Sequence, residues 1–459
     1  MKPRPQSMDD PGFRKLTIRQ RRAVLAEDQG LDFSQGDLNA TQARDEILDL
    51  ADVMVETAIG IMPVPLGIAR GFLIDGRQIS IPMATEEPSV IAAASFAAAQ
   101  IARYGGFTTW GHKPIMTGQV YVVFPPDDHR NKETLAEELN RHEPELAKIL
   151  QPILEPMTRR GGGYRGMIAA WLPESETLRL HVHLDVRDAM GANLINTCME
   201  ALKPRIAAIT RGEILMAILT NRADQRLAGA RFVLPLHALS RGDFHGMPLA
   251  QRILRAWRVA DTDPARAVTH NKGIMNGISA LALATANDTR GIEAAAHAWA
   301  ARDGHYRSLS SYRIDHENLV GEIELPLPLA TVGGGVGFHP AAQAALKILG
   351  NPDAQGLARF AAALGLAQNF AAISALTGEG IQAGHMRLHA GRLAFAVGAR
   401  GPEIPELQRR IAREGVFNRA TAQAILGEMR SESPSASGQP STSGQTPKSD
   451  SAKQSQEDG

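Results

Sequence analysis

Apolar residues recur at helical intervals from about Asp45 to Thr57 and from Pro88 to Tyr104, and Gly71 to Met83 between them has strand character around an Asp75-Gly76 turn. That combination predicts a mixed α/β domain. A Pro125-Pro126-Asp127-Asp128 break parts the apolar run Gly118 to Phe124 from a charged helix, Lys132 to Leu154, and a glycine cluster at Gly161 to Gly163 closes it. Met167 to Leu172 and Thr177 to Val186 then read as a hairpin, Ala192 to Ile209 as a helix and Glu213 to Thr220 as a strand. The order βαββαβ predicts a ferredoxin-like sandwich beginning near Pro114. Helical patterns resume beyond Asn221, including Met247 to Ala260 and Gly277 to Asp303, so the chain is expected to return to the first domain and the small unit to be an insertion. The expected divisions are 1–113, 114–221, 222–379, a flap at 380–430 and a disordered tail at 431–459. Ser431 to Gly459 has no aliphatic side chain larger than alanine with which to offset its ordering entropy.

Composition narrows the function. With 459 residues, 44% of them hydrophobic, the chain can bury a large core. Lys+Arg and Asp+Glu both number 49, which argues against nucleic acid or a basic membrane arm as partner. The single cysteine, Cys198, cannot form an internal disulfide, and no secretory leader is recognised, so the expected compartment is the cytoplasm. Ser89 to Ile101, read as the most apolar window, is too short to cross a bilayer.

Several motifs could carry chemistry. Gly161-x-Gly163-x-x-Gly166 has the letters of the Rossmann fingerprint but follows a helix and precedes a strand, the reverse of what that turn requires. Any nicotinamide cofactor would bind on a non-Rossmann fold. Asp188-Ala-Met190-Gly191-Ala-Asn193 puts a polar, glycine-bearing turn between a strand and a helix, where backbone amides suit a pyrophosphate; an ordinary aspartate cap is the bland alternative. Glu86 and Glu87 stand at a strand-to-helix junction, where capping is the commoner role of an acidic pair. Lys272 is read in a polar turn and Asp288 inside an alanine-rich helix, with the lysine as its expected partner, in either a structural ion pair or an oriented electrophile. His385 and His389 are four apart, but the glutamate of the zinc-protease helix is missing, and no metal is expected. Glycines at 378, 380 and 384 mark a hinge before them, and Gly333 to Gly335 a tight turn.

In order and spacing, Glu56-Thr-Ala-Ile-Gly60, Pro82-Met-Ala-Thr-Glu-Glu-Pro-Ser89, Asp188 to Thr197, Asn271-Lys-Gly-Ile-Met-Asn-Gly277, Ala286-Asn-Asp288, Gly365-Leu-Ala-Gln-Asn369 and Gly384-His385 resemble the bacterial, soluble class of hydroxymethylglutaryl-CoA reductases from Gly12 to about Gly427. The resemblance implies interconversion of hydroxymethylglutaryl-CoA with mevalonate and CoA by two hydride transfers. It implies catalytic roles for Glu87, Lys272, Asp288 and His385, acyl or CoA contacts for Ser89, Arg266, Asn276 and Gln368, and cofactor contacts for Asp188, Met190, Gly191, Asn193 and Asn221. It further implies a homodimer, or a larger oligomer, with the active site at the interface. NAD is the expected cofactor, with NADP the alternative: Glu155 lies near the expected adenosine position and Arg159 and Arg160 follow it.

The chain departs from the family at Thr57-Ala-Ile-Gly60, usually Asn-Val-Ile-Gly, and at Gly334-Gly-Val-Gly-Phe338, where a lysine and a threonine are usual. The second change bears on CoA affinity. Two other readings compete: a CoA-binding regulator on a reductase scaffold, and a reductase of another branched acyl-CoA. Turnover and substrate comparison separate them.

Overall fold

The computed structural model describes residues 45–378 and 390–432, with Thr17, Gln20 and Ala23 before them. It divides into two compact units, before and after the Ala383/Gly384 boundary.

In the first unit, α1 (Asp45–Met54) precedes a hairpin of β1 (Leu66–Ile74) and β2 (Arg77–Ala84). The expected turn is there: Asp75 and Gly76 both have positive φ, 48° and 76°, as a two-residue hairpin of right-handed twist requires. After α2 (Val90–Ala102) comes β3 (Phe107–Gly111), and then the chain leaves the large sheet. It returns with β8 (Leu227–Pro235), which pairs antiparallel with β3 from Phe107↔Phe232 to Gly111↔Ala228. The segment between is thus entered and left through neighbouring strands.

That segment holds β4 (Ile115–Val123), α3 (Lys132–Arg141), α4 (Glu143–Thr158), β5 (Gly163–Leu172), β6 (Thr177–Asp185), α5 (Ala192–Thr210) and β7 (Glu213–Thr220). Its antiparallel sheet has the order β5-β6-β4-β7, the ferredoxin-like arrangement. Period-two burial explains its one-sided core: Leu178, Leu180, Val182 and Leu184 on β6 are fully buried, while Arg179, His181 and His183 between them face the other side. Each such side chain contributes about 1.5–3 kcal/mol when withdrawn from water. The expected single helix Lys132 to Leu154 is two helices broken at His142, where Pro144 begins a new first turn.

Beyond β8 and the short strands β9 (Ser240–Arg241) and β10 (Phe244–His245) come α6 (Gly246–Thr262), α7 (Pro264–Ala284), α8 (Thr289–Ala300), β11 (Ser310–Asp315), β12 (Asn318–Pro326), α9 (Pro340–Ile348) and α10 (Ala354–Thr377). The large sheet has the order β11-β12-β8-β3-β1-β2, mixing strands from before and after the insertion. Phe232 joins its core, 6.3 Å from Phe107 and 5.0 Å from Phe370 of α10 by ring centroids. By length and composition alone, α10 could cross a membrane, which no helix was expected to do; it is the core helix, mostly buried, with Gln368 and Asn369 inside.

The second unit packs α11 (Glu403–Glu414) on α12 (Arg419–Glu432) through Leu407, Ile411, Ala422 and Leu426. Gly415, at φ 71°, caps α11, and Glu403 pairs with Arg430 at 2.8 Å. Ser431 and Glu432, expected in the tail, close α12. The rest of the tail and the histidines and glycines at 380–389 lie outside the described residues.

Candidate functional site

Glu87 and Ser89 occupy the junction between β2 and α2, as expected. Ser89 holds the cap position, in the left-handed region at φ 77°, and its Oγ is buried with no hydrogen-bond partner among the described residues. Such conformations cost about 1–3 kcal/mol and gather at functional sites. Lys272 lies across from it, within α7, which packs against β2. Its Nζ donates to Glu87 Oε2 at 2.9 Å. The lysine and glutamate side chains are 59% and 38% exposed, so the pair adds little to stability. Its value lies in placing an ammonium beside a carboxylate.

α7 carries Arg266 and Asn276 as well, and Gln368 reaches the same neighbourhood from α10. Gly277 makes that approach close: a Cβ there would stand 3.2 Å from Leu364 and 3.4 Å from Gln368. Gln368 is 5% exposed and its Oε1 lacks a partner. Burial lowers the Arg266 pKa, and the guanidinium has no ion-pair partner among the described residues, a state that suits a ligand carboxylate.

Beneath Lys272 lies a buried polar network that the sequence did not reveal. His270 Nε2 meets Ser310 Oγ at 2.8 Å and Asn369 Nδ2 at 3.0 Å, while Ser310 and Tyr312 hydroxyls donate to Asn369 Oδ1. Asn271 donates to the Arg307 carbonyl and accepts from the Leu309 amide. Burial pushes His270 down to about 3, with the Arg266 charge a lesser cause, so the imidazole is neutral and α7 is fixed to β11 and α10 by directional bonds.

The other predicted residues assemble elsewhere. The Asp188–Asn193 turn follows β6 and opens α5, as expected. Gly191 is the cap position, at φ 83°, with no side chain capping the helix; a Cβ there would sit 2.5 Å from Val186. Asp188 does not cap α5: its Oδ1 accepts from the Ala354 amide of α10 at 2.9 Å, and its carbonyl from Thr331 at 2.9 Å. Met190 is half-buried in the turn, and Asn193 is exposed in the first turn of α5. Asn221, just past β7, comes near Asp288, since a Cβ on Gly291 would stand 2.9 Å from Asp288 Oδ2 and 3.5 Å from Asn221 Oδ1. The Asp288 loop is tied to the Leu327–Gly337 segment through Asn287, which bonds both the amide and carbonyl of Ala330. Gly333 and Gly334, both with positive φ, open the short 3-10 turn at Gly334–Gly337.

Three expectations are corrected here. Lys272 sits in the middle of a 21-residue helix, where the Asn271 amide beside it is satisfied by tertiary contacts to Arg307 and Leu309. Asp288 is not inside a helix: the pattern from Gly277 breaks after Ala284, and Asp288 caps α8 by accepting from Gly291 at 3.1 Å. Lys272 and Asp288 are not paired within the chain. The residues from Lys272 to Ala284 alone rise about 18 Å, and the recorded ion partner of Asp288 is Arg290, at 3.7 Å. Glu155 is engaged by Arg159. Among the described residues no group of three or more His, Cys, Asp or Glu could hold a metal; His385 and His389 lie outside them.

Comparison with known proteins gives the class first. Two solved structures of 3-hydroxy-3-methylglutaryl-coenzyme A reductase from Streptococcus pneumoniae match with a TM-score of 0.70 each: one is 39% identical, covering 92% of this chain and 99% of that one, and the other, a class II enzyme bound to NADPH in open conformations, is 38% identical over 90% and 99%. The fold is that of an oxidoreductase using a nicotinamide cofactor. The model of the hydroxymethylglutaryl-coenzyme A reductase family matches residues 17–390, and the chain belongs to that family. The 3-hydroxy-3-methylglutaryl-coenzyme A reductase of Archaeoglobus fulgidus is 43% identical over 92% of this chain and 94% of its own length. A probable reductase of the same kind from Borreliella burgdorferi is 36% identical over 74% and 77%.

Proposed function

We propose that this protein interconverts hydroxymethylglutaryl-CoA and mevalonate in a homodimer, each active site joining the Glu87–Lys272 cluster of one chain to the Asp288–Asn221 cluster of its partner. The observation that carries this reading is the separation of the two clusters, Lys272 lying mid-helix in α7 and Asp288 beyond its C-terminal end, with about 18 Å of helix between Lys272 and Ala284. An apolar strip with no internal cover supports it: Val53, Val55, Met62, Leu66 and Ile68 are exposed, Met62 by 87%.

The reaction needs an anion stabiliser, proton donors and a held carboxylate. Arg266 and Ser89 bind the free carboxylate and hydroxyl of the acyl group, using a guanidinium without an ion-pair partner and an Oγ without a hydrogen-bond partner among the described residues. The cofactor, when bound, would supply hydride twice, first to the thioester carbonyl and then, from a second molecule, to the aldehyde that forms. Addition to the thioester carbonyl leaves an oxyanion, which the Lys272 ammonium stabilises while Glu87 holds the lysine and passes a proton. Asp288 from the partner joins the lysine in the assembled site. His385 protonates the departing thiolate of CoA, keeping it from adding back to the aldehyde. Gln368 faces the CoA side. Asp188, Met190, Gly191, Asn193 and Asn221 hold the dinucleotide, with amides at the start of α5 toward its pyrophosphate. NAD is the proposed cofactor, through Glu155, and the proposed setting is mevalonate breakdown in the cytoplasm.

The test is complementation. Lys272→Ala and Asp288→Ala should each lower turnover about 10²–10³-fold. Co-refolded from an equal mixture, they should recover about a quarter of wild-type activity, because half the dimers are mixed and each has one intact site. No recovery from a mixture shown to contain mixed dimers would overturn the shared site.

A further inference from the structure

Arg226, immediately before β8, is 4% exposed, and its hydrogen bonds go to main-chain carbonyls rather than carboxylates. Nη1 donates to the Ala189 carbonyl at 3.0 Å and Nη2 to that of Leu329. Ala189 lies in the turn that opens α5. Leu329 belongs to the segment that continues through Thr331 and Val332, whose amides return to the Asp188 carbonyl. The guanidinium therefore stands behind the turn and joins its two strands of chain. Burial lowers Arg226 to about 10, with Asp188 and Asp185 opposing the fall, so it stays charged at neutral pH.

Burying a cation costs several kcal/mol, and carbonyl partners return only part of that. Asp185 does not offset the charge by direct contact, being taken by Arg165 at 2.9 Å; the Asp188 carboxylate is turned to the α10 amide. As a stabilising device this is poor. As a support for an anion it is coherent: the planar fork spans two carbonyls, which a lysine ammonium does less well, and the charge lies behind amides at the start of α5.

We propose that Arg226 is a positioning residue for the dinucleotide, fixing the Asp188–Asn193 turn through the Ala189 and Leu329 carbonyls and adding, from beneath, a positive charge that favours the pyrophosphate. This rests on reading the turn as the cofactor site.

The experiment titrates wild type, Arg226→Lys and Arg226→Met with reduced cofactor, NADH and NADPH in turn, followed by nicotinamide fluorescence, and with hydroxymethylglutaryl-CoA by calorimetry. For Arg226→Met the cofactor Kd should rise at least about ten-fold while the acyl-CoA Kd moves by less than about two-fold. Arg226→Lys, which keeps the charge but loses the span, should fall between. Added salt should weaken cofactor binding more steeply in wild type than in Arg226→Met. A cofactor Kd within about two-fold of wild type in the methionine variant overturns the proposal, as do equal losses for both ligands. If Arg226→Met does not fold, an unchanged cofactor Kd in Arg226→Lys overturns it. Wild type that binds neither nicotinamide overturns the underlying reading and the proposal with it, an outcome separable from a variant effect.

Discussion

The Lys272 end of the proposed site, midway along α7, and its Asp288 end, beyond the C-terminus of that helix, are built in opposite ways. Around Lys272 the site is made of side chains: Glu87 from the β2–α2 junction meets the ammonium, and the helix is fastened from below by His270, Ser310, Tyr312 and Asn369. Around Asp288 it is made of backbone: an α8 cap, a left-handed Gly191, and carbonyls and amides of three segments interlocked through Asn287, Asp188 and Arg226. The difference suits the ligands of the proposed function. An acyl group with a free carboxylate and a reacting carbonyl needs charges at fixed points, whereas a dinucleotide presents an extended anion that a row of amides can follow. On the proposed shared site neither cluster suffices alone, so complementation between Lys272→Ala and Asp288→Ala has the largest expected effect. Restored activity makes the two ends halves of one site; equal inactivity of mixed dimers would make them independent.

The side-chain end should also be the acid-sensitive one. His270 is held neutral, its pKa lowered to about 3 in the folded chain against about 6.5 unfolded. Below the unfolded value the unfolded chain takes up a proton that the folded chain refuses, so stability is complete above about pH 6.5 and falls toward pH 3, by on the order of 1.4 kcal/mol per unit for this group. In urea unfolding at a series of pH values, His270→Gln should flatten the slope in that window while lowering stability at pH 7. An unchanged slope would mean that the network beneath Lys272 does not govern the acid response.

Much of the fold could be read in the chain and much of the site could not. The Asp75-Gly76 hairpin, the βαββαβ order and the false Gly161–Gly166 fingerprint followed from periodicity and turn chemistry, both local. The errors came where tertiary contacts overrule local pattern. Asn271-Lys-Gly-Ile-Met-Asn-Gly277 has the composition of a turn, yet Asn271 is fully buried and bonded at both ends of its amide, and Gly277 is small so that α10 can approach. Asp288 was misplaced although its signal was present: an aspartate three residues before Gly291, at the start of a new helical phase, is an N-cap pattern. The Lys272–Glu87 contact spans 185 residues, and nothing local announces it. Arg226 and the His270 network leave no local signature for the same reason, since burial and partners are properties of the folded chain.

At the backbone end, Gly191→Ala sharpens the contrast. The added Cβ would meet Val186 at 2.5 Å and the alanine would have to hold φ 83°, so a loss of about 1–3 kcal/mol is expected. Cofactor KM should rise well beyond any change in the acyl-CoA KM, because the strain falls on the turn and not on α7. Equal increases in both would place the turn outside cofactor binding.

The smallest effect comes from Ser89→Gly, and its sign differs from the others. Ser89 has a left-handed backbone and a buried Oγ without a hydrogen-bond partner among the described residues, two costs to the folded chain. Glycine adopts φ 77° freely and removes the orphan hydroxyl, so thermal or urea unfolding should show a gain of about 1 kcal/mol, reduced by the looser unfolded chain. If the hydroxyl binds the acyl group, the same variant should raise the acyl-CoA KM by about ten-fold or less, leaving the cofactor KM alone. Stability gained with affinity lost would locate stored strain at the Ser89 cap of α2, on the substrate side of the proposed site; stability gained with affinity kept would leave the strain without a function and move the acyl contact to Arg266.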